Sequence, residues 1–278
     1  MADRFKVQRI TCVHDGDEYS VSSPSLSGSE SSTEAVDLAR RLALGDLKET
    51  ILIRGDPVAM RYSLPSEEGS LDDQLLQAAA GACLGTCGVD RVRDLIRQGA
   101  DVKVKDSSGV TALHRAVQRE TKDAGDVAKI LIDSGADVTA VDDEGNTPLH
   151  YAASNHYAAS DTRKVIVLLV ENGANVNAVD HDGNTSLHHA AEDCNGEAVD
   201  ILVAEEADVK AVNKNEDTPL HLAAENAKID DQKLMKTLIK AGADVNAVNK
   251  DGKTPLDLAT KRDNAVAMFT LFMAEADV

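Results

Sequence analysis

Across residues 142–178 the chain sets polar and apolar blocks in a fixed order. A polar turn, Asp142-Asp143-Glu144-Gly145-Asn146, precedes Thr147, which suits a helix N-cap. Pro148 follows at the first helical position, where its missing N–H costs nothing. Leu149, Ala152 and Ala153 recur at helical spacing and predict a short inner helix with small side chains. A polar loop over 154–163 leads to a second helix, whose apolar positions are Val165, Ile166, Leu168 and Leu169. Asn172-Gly173 ends it, because glycine takes the left-handed conformation that closes helices. Residues 174–178 are expected to run extended into the next polar turn. Two helices and a turn make one layer, too thin to bury its own apolar face.

The layer recurs. Val110-Thr111-Ala112-Leu113-His114, Asn146-Thr147-Pro148-Leu149-His150, Asn184-Thr185-Ser186-Leu187-His188, Asp217-Thr218-Pro219-Leu220-His221 and Lys253-Thr254-Pro255-Leu256-Asp257 are copies of one phrase. Their threonines stand 36, 38, 33 and 36 residues apart. A period of this size marks a stack of units that fold only against one another. Units over 71–105, 106–141, 142–179, 180–212, 213–248 and 249–278 give six, with less regular first and last copies. The expected architecture is an all-α solenoid of six helix-turn-helix units with β-hairpin turns.

Residues 1–70 differ in kind and are expected to form a small irregular segment with short strands and one helix. Residues 5–13 are strand-like, and Asp15-Gly16 offers a turn. Residues 20–32 contain eight serines, a flexible stretch or a phosphoacceptor cluster. Ser31 and Glu34 resemble a capping box before a helix from Ala35 to Leu44. Residues 50–53 and 58–62 flank Arg54-Gly55-Asp56-Pro57, a hairpin whose Arg-Gly-Asp is read as a turn and not as an adhesion signal.

Charge narrows the partner. The chain carries 29 basic and 48 acidic residues, a formal −19 at pH 7, and −15 of it falls on residues 71–278. Such a surface repels phosphate backbones and anionic lipid, so neither nucleic acid nor membrane is expected as a partner. A basic protein segment is the natural counterpart. Four cysteines (Cys12, Cys83, Cys87, Cys194) are sparse and fit a reducing compartment. The amino terminus lacks the apolar run of a signal peptide, and no stretch approaches a membrane span. The expected location is intracellular, by default the cytoplasm, with the nucleus left open.

The phrases Gly-x-Thr-Pro-Leu-His and Gly-Ala-Asp-Val-Asn-Ala resemble the ankyrin-repeat family over about three-quarters of the chain. Against the family's unit of about 33 residues the copies carry extra residues, placed between the two helices of a layer at 120–125, 156–163 and 227–232. They are either partner-specific rims or tolerated surface insertions. Glu206 and Glu216 stand where neighbouring units have glycine, which predicts a strained, weak region around 204–217.

The resemblance implies a non-enzymatic module, monomeric on its own, that binds another protein through the hairpin tips and the exposed face of the inner helices. Lys105, Val141, Val179, Val212 and Val248 precede the opening residue of successive units, and the four valines form an apolar stripe unless they pack on one another. Asp142, Asp143, Glu144 and Asn146, then Asp180, His181, Asp182 and Asn184, then Lys214, Glu216, Asp217, Lys250 and Lys253 are expected as ridge residues beside the stripe. Asn155, Glu192 and Asp193 are the inner-helix candidates, with Gln118, Arg119, Ser154, Glu225 and Asn226 in equivalent places. A second hypothesis puts the activity, an enzyme's or a targeting device's, in 1–70, with the repeats selecting the substrate.

Cofactor chemistry is not expected. Gly252-Lys253-Thr254 imitates a phosphate loop, but Ala247 stands where its first glycine belongs. Asp180-His181-Asp182-Gly183 imitates a calcium loop, with Ala178 and His189 at essential ligand positions. Cys83 and Cys87 lack two further metal ligands at suitable spacing. In the family, the histidine that here recurs as His114, His150, His188 and His221 is structural.

Overall fold

The computed structural model describes residues 10–14, 17–21, 69–81, 88–118, 123–154, 159–226 and 232–276. The chain divides into two compact units, Met1–Glu68 with Cys83–Cys87, and Gly69–Ala82 with Gly88–Val278. In the first unit, strands β1 (Ile10–His14) and β2 (Asp17–Val21) pair antiparallel, with Ile10 opposite Val21 and His14 opposite Asp17. The strand expected at 5–13 is thus described only from Ile10, and the serine-rich stretch begins inside β2 with Ser20. The helix expected at 35–44, the hairpin around 54–57, and Cys83 and Cys87 lie outside the described residues.

The second unit is built of consecutive helix pairs. They are α1 (Leu71–Ala79) with α2 (Gly88–Arg97), α3 (Ala112–Val117) with α4 (Ala124–Asp133), and α5 (Pro148–Ala153) with α6 (Ala159–Glu171). Then come α7 (Ser186–Glu192) with α8 (Gly196–Ala204), α9 (Pro219–Asn226) with α10 (Gln232–Lys240), and α11 (Pro255–Lys261) with α12 (Ala265–Ala276). Odd-numbered helices contact one another in sequence, and so do even-numbered ones, which gives an inner and an outer row. This is the expected all-α solenoid. Leu113, Leu149, Leu187 and Leu220 are fully buried at equivalent places of the inner row. Ala116, Ala152, Ala190 and Ala223 follow one turn later, and their small side chains let adjacent layers close. The outer row contributes Val127, Leu131, Ile166, Leu169, Val199, Leu202, Leu234 and Leu238.

Helices α3, α5, α7 and α9 each start on a brace between threonine and histidine. In the layer of α5, the Thr147 N–H donates to His150 Nδ1 at 3.0 Å, and Thr147 Oγ1 lies 2.9 Å from the same nitrogen. With Nδ1 accepting, the proton sits on Nε2, which donates to the Asn184 carbonyl of the next layer at 3.2 Å. His114 reaches Asn146, His188 reaches Asp217 and His221 reaches Lys253, each at 3.0 Å. Asp257 replaces histidine in the layer of α11; its carboxylate accepts the Thr254 N–H at 2.9 Å but brings no N–H of its own.

Two local expectations are corrected. Residues 174–178 do not run extended: the Ala178 N–H donates to the Asn175 carbonyl, and Asn175 Oδ1 accepts the Asn177 N–H. Asp101, Asp137, Asp208 and Asp244 bind the N–H two residues on in the same way, so this side chain curls the chain into a turn. Helix α6 begins at Ala159, inside the expected loop, and Thr162 on it is buried. Of the three expected insertions, residues 119–122, 155–158 and 227–231 lie outside the described residues.

Glu206 has φ +63° and Glu216 has φ +61°, left-handed conformations that glycine takes at Gly173 (+94°) and Gly183 (+81°) in the preceding layer. The strain expected around 204–217 is present. Cys194 (+57°) and Asp263 (+54°) share this geometry without any signal recognised in the sequence. The outward face of α12 is apolar, with Phe269, Phe272 and Met273 exposed.

Two predictions follow from these geometries. Replacing Glu206 by glycine relieves about 1 kcal/mol and should raise the melting temperature by about 2–4 °C; a fall would show that no strain is stored there. Burial holds His114 and His188 below the ordinary histidine value and brings His150 to about 4, the neighbouring His189 adding to the effect. The unfolded chain therefore binds protons that the folded chain refuses between pH of about 6.5 and about 4. Stability should be complete above that window and decline as the pH falls through it. Urea midpoints measured at steps from pH 7 to pH 4.5 test this, and a flat profile contradicts it.

Candidate functional site

The hairpin tips are shaped by the residue that opens each unit. Asp142 Oδ1 accepts the N–H groups of Glu144 and Asn146 at 2.9 and 2.8 Å. Asp106, Asp180, Asn213 and Asn249 bind their own turns in the same pattern. Backbone bonds then tie tip to tip: the Asp143 N–H donates to Ser108, His181 to Glu144, Lys214 to Asp182 and Lys250 to Asn215, at 2.9–3.0 Å. Glycine is needed where the tips meet, since a Cβ on Gly145 would stand 2.8 Å from the His181 nitrogen. Five hairpins thus form a continuous ridge.

The stripe lies open on that ridge. Val141, Val179, Val212 and Val248 are 44%, 58%, 54% and 58% exposed, so they do not bury one another. Lys105 is exposed, and its Nζ donates to the Val141 carbonyl at 2.7 Å. Asp143, Glu144, His181, Asp182, Lys214 and Lys250 are exposed beside the stripe, as is Glu192 at the end of α7.

Other predicted contact residues are engaged within the ridge. Asn146 Nδ2 donates to Asp142 Oδ2, Asn184 Oδ1 accepts from Asn213 Nδ2, and Asp217 Oδ1 accepts from Asn249 Nδ2. All three are half-buried: Asn146 bonds within its own turn, and Asn184 and Asp217 link theirs to the next. Asp142, expected as an acidic ridge residue, is buried, and Asp180 is half-buried. On the inner helices Asp193 is half-buried at the end of α7, and Glu225 accepts from Arg262 Nη2 at 3.0 Å. Gln118 is exposed, while Ser154 and Asn226 are half-buried. Asn155 and Arg119 lie outside the described residues.

A further set of groove residues escaped the sequence reading. Nine positions after each opening residue stand Arg115, Tyr151, His189, Leu222 and Leu258. Where the opener is aspartate, the inner helix supplies a polar partner to its second oxygen. Arg115 Nη2 donates to Asp106 Oδ2, Tyr151 Oη donates to Asp142 Oδ2 at 2.9 Å, and His189 Nε2 lies 2.9 Å from Asp180 Oδ2. Where the opener is asparagine, leucine stands at that place, and the amide of Asn213 or Asn249 turns instead to the preceding hairpin. Burial opposes ionisation of Asp142, yet the bonds from Asn146, Tyr151 and Glu144 outweigh it and hold its carboxyl below the usual range. The Tyr151 and His189 rings meet His114 and His150 of the preceding layer edge-on, both at 5.2 Å between centroids. Comparing openers with residues nine places on, repeat by repeat, would have exposed the pattern.

Among the described residues no group of histidine, cysteine or carboxylate side chains is arranged to hold a metal, and no helix is long and apolar enough to cross a membrane. A family model described as ankyrin repeats (3 copies) matches residues 75–162, 156–249 and 194–278. A crystal structure of an ankyrin repeat domain from Acinetobacter baumannii AYE is similar, with 30% identity and a TM-score of 0.58 over 72% of this chain and 97% of that one. No match is found among curated proteins.

The opener pattern makes a double-mutant prediction. Asn213→Asp removes the amide bond to Asn184 and turns a carboxylate oxygen toward Leu222, at an expected cost of about 1–3 kcal/mol. Adding Leu222→Tyr should restore part of that loss, as at Asp142 and Tyr151. Denaturant titration of the four proteins measures the coupling, and strict additivity would refute it.

Proposed function

Because the chain belongs to the ankyrin-repeat family, whose repeats serve as protein–protein interaction modules, we propose that it is a non-catalytic scaffold or adaptor that captures one protein on its hairpin ridge. The observation that carries this reading is the row of four exposed valines on consecutive hairpins. Apolar side chains held open in a row mark contact surfaces. Glu192 and Gln118, exposed on the inner helices, extend the surface into the groove. Binding without catalysis is supported by the fate of the recurring histidines, whose ring nitrogens are taken up by the braces between layers. The module acts inside the cell, by default in the cytoplasm, in keeping with its sparse cysteines.

Affinity capture tests the surface. The full chain is compared with a variant carrying Val141→Lys, Val179→Lys and Val212→Lys. The melting temperature should stay within a few degrees, because all three side chains are exposed. Specific partners should disappear from the captured set. Their survival on the variant would place the interface elsewhere.

A further inference from the structure

The exposed charges at the tips change in one direction along the ridge. Beside Val141 stand Asp143 and Glu144, a formal −2; beside Val179 stand His181 and Asp182, a formal −1 with histidine neutral. Beside Val212 stand Lys214 and Glu216, which cancel; beside Val248 stand Lys250, Asp251 and Lys253, a formal +1. The steps are −2, −1, 0 and +1 over four consecutive layers, counting exposed side chains only. At physiological salt, charges more than about 8 Å apart are largely screened from one another. Layers of packed helices lie about 8–10 Å apart. A partner therefore meets four local electrostatic sites and not one averaged charge, and each site has a valine beside it.

The same spacing selects the partner's conformation. A polyproline-type helix rises about 3.1 Å per residue and repeats its side-chain direction every three residues, whereas successive side chains of a β-strand alternate between two faces. Three residues of the polyproline-type helix, one full turn, cover about 9 Å, one layer of the stack. Side chains three apart in such a segment fall on successive valines, and the residues between them face the tip charges. An α-helix, rising about 1.5 Å per residue, needs six or seven residues per layer and so repeats its contacts at a different period. The protein also shows how a cation seats on the ridge: Lys105 Nζ donates to the Val141 carbonyl at 2.7 Å. One layer on, the residue preceding Val179 in the row is Val141, which has no ammonium to offer, so a basic residue of the partner takes that role.

We propose that the ridge binds an extended, polyproline-type segment of a partner protein with an apolar side chain at every third residue, cationic at the end lying on Val141 and Val179 and anionic at the end lying on Val248. The proposal rests on the reading of the ridge as the contact surface and adds conformation, register and polarity to it. A partner that is basic throughout would meet Lys250 and Lys253 with like charge, and the ridge discriminates against it.

Selection from a displayed library of random peptides, with the full chain as bait, tests this without knowing the natural partner. Enriched peptides should share apolar residues with a period of three, with Lys or Arg toward one end and Asp or Glu toward the other. Two enriched peptides, made synthetically, should lose at least tenfold in affinity for the Val141→Lys, Val179→Lys, Val212→Lys protein by fluorescence anisotropy. The Asp143→Lys, Glu144→Lys protein should reverse the preference at the cationic end and leave the other end unchanged. A period of three or four alternating as on a helix, like charge at both ends, or a library that returns nothing above background each overturns the proposal. If natural partners are lost from the triple-lysine protein while the peptides show no such register, the contact surface stands and the extended-segment proposal alone falls.

Discussion

A neutral, buried imidazole that accepts at one nitrogen and donates at the other is the constraint on which this stack depends. One ring satisfies the start of its own inner helix and a carbonyl of the following hairpin, as His188 does between Thr185 and Asp217. A side chain that only accepts meets the first task and fails the second. Asp257 illustrates the point: it caps Thr254 and reaches no further. Each layer thus needs its successor for a hydrogen bond as well as for burial of its leucine, and the two demands are met by the same docking. Leu187 and His188, adjacent and both fully buried, serve one demand each.

The ridge inherits its rigidity from that docking and from a second hydrogen-bonding scheme. Openers from Asp106 to Asp180 are held by a polar group on their own inner helix, and the later openers, Asn213 and Asn249, by the preceding hairpin. The first scheme ties hairpin to helix within a layer; the second ties hairpin to hairpin across layers. The isolated bridges Lys105–Thr111 and Val179–Thr185 occur where the residue after threonine is Ala112 or Ser186 rather than proline, so an N–H remains there to donate. Val141, Val179, Val212 and Val248 stay exposed at the edge of this frame. Backbone bonds from tip to tip tie the turns beside them together.

Much of this was legible before any coordinates. Thr147 and Pro148 marked a helix start, Gly173 marked an end, and the recurrence of both phrases in one phase marked six layers. Glu206 and Glu216 were recognisable as strained because glycine stood at their places in neighbouring units. The candidate contact residues were less legible. Val141, Val179, Val212 and Val248 could have packed together or faced water, since alternation around a turn does not say which side is covered. Asn146, Asn184 and Asp217 were expected to face solvent because polar residues in turns usually do, yet Asn146 bonds Asp142 of its own turn, and Asn184 and Asp217 accept from the next one. Asp142 was counted as surface charge although its two oxygens collect a Tyr151 hydroxyl and N–H groups from its own turn.

Periodicity, capping residues and glycine placement are local properties, each decided within a few residues, and so the sequence by itself determined the repeat, the helices within it and the points of backbone strain. Which polar side chains bridge layers, which valines remain uncovered, and where the residues nine places after each opener point were decided only when layers met. Those outcomes depend on distances between residues some thirty positions apart in the chain, such as Asn213 to Asn184, and only the stacking of one layer on the next sets them.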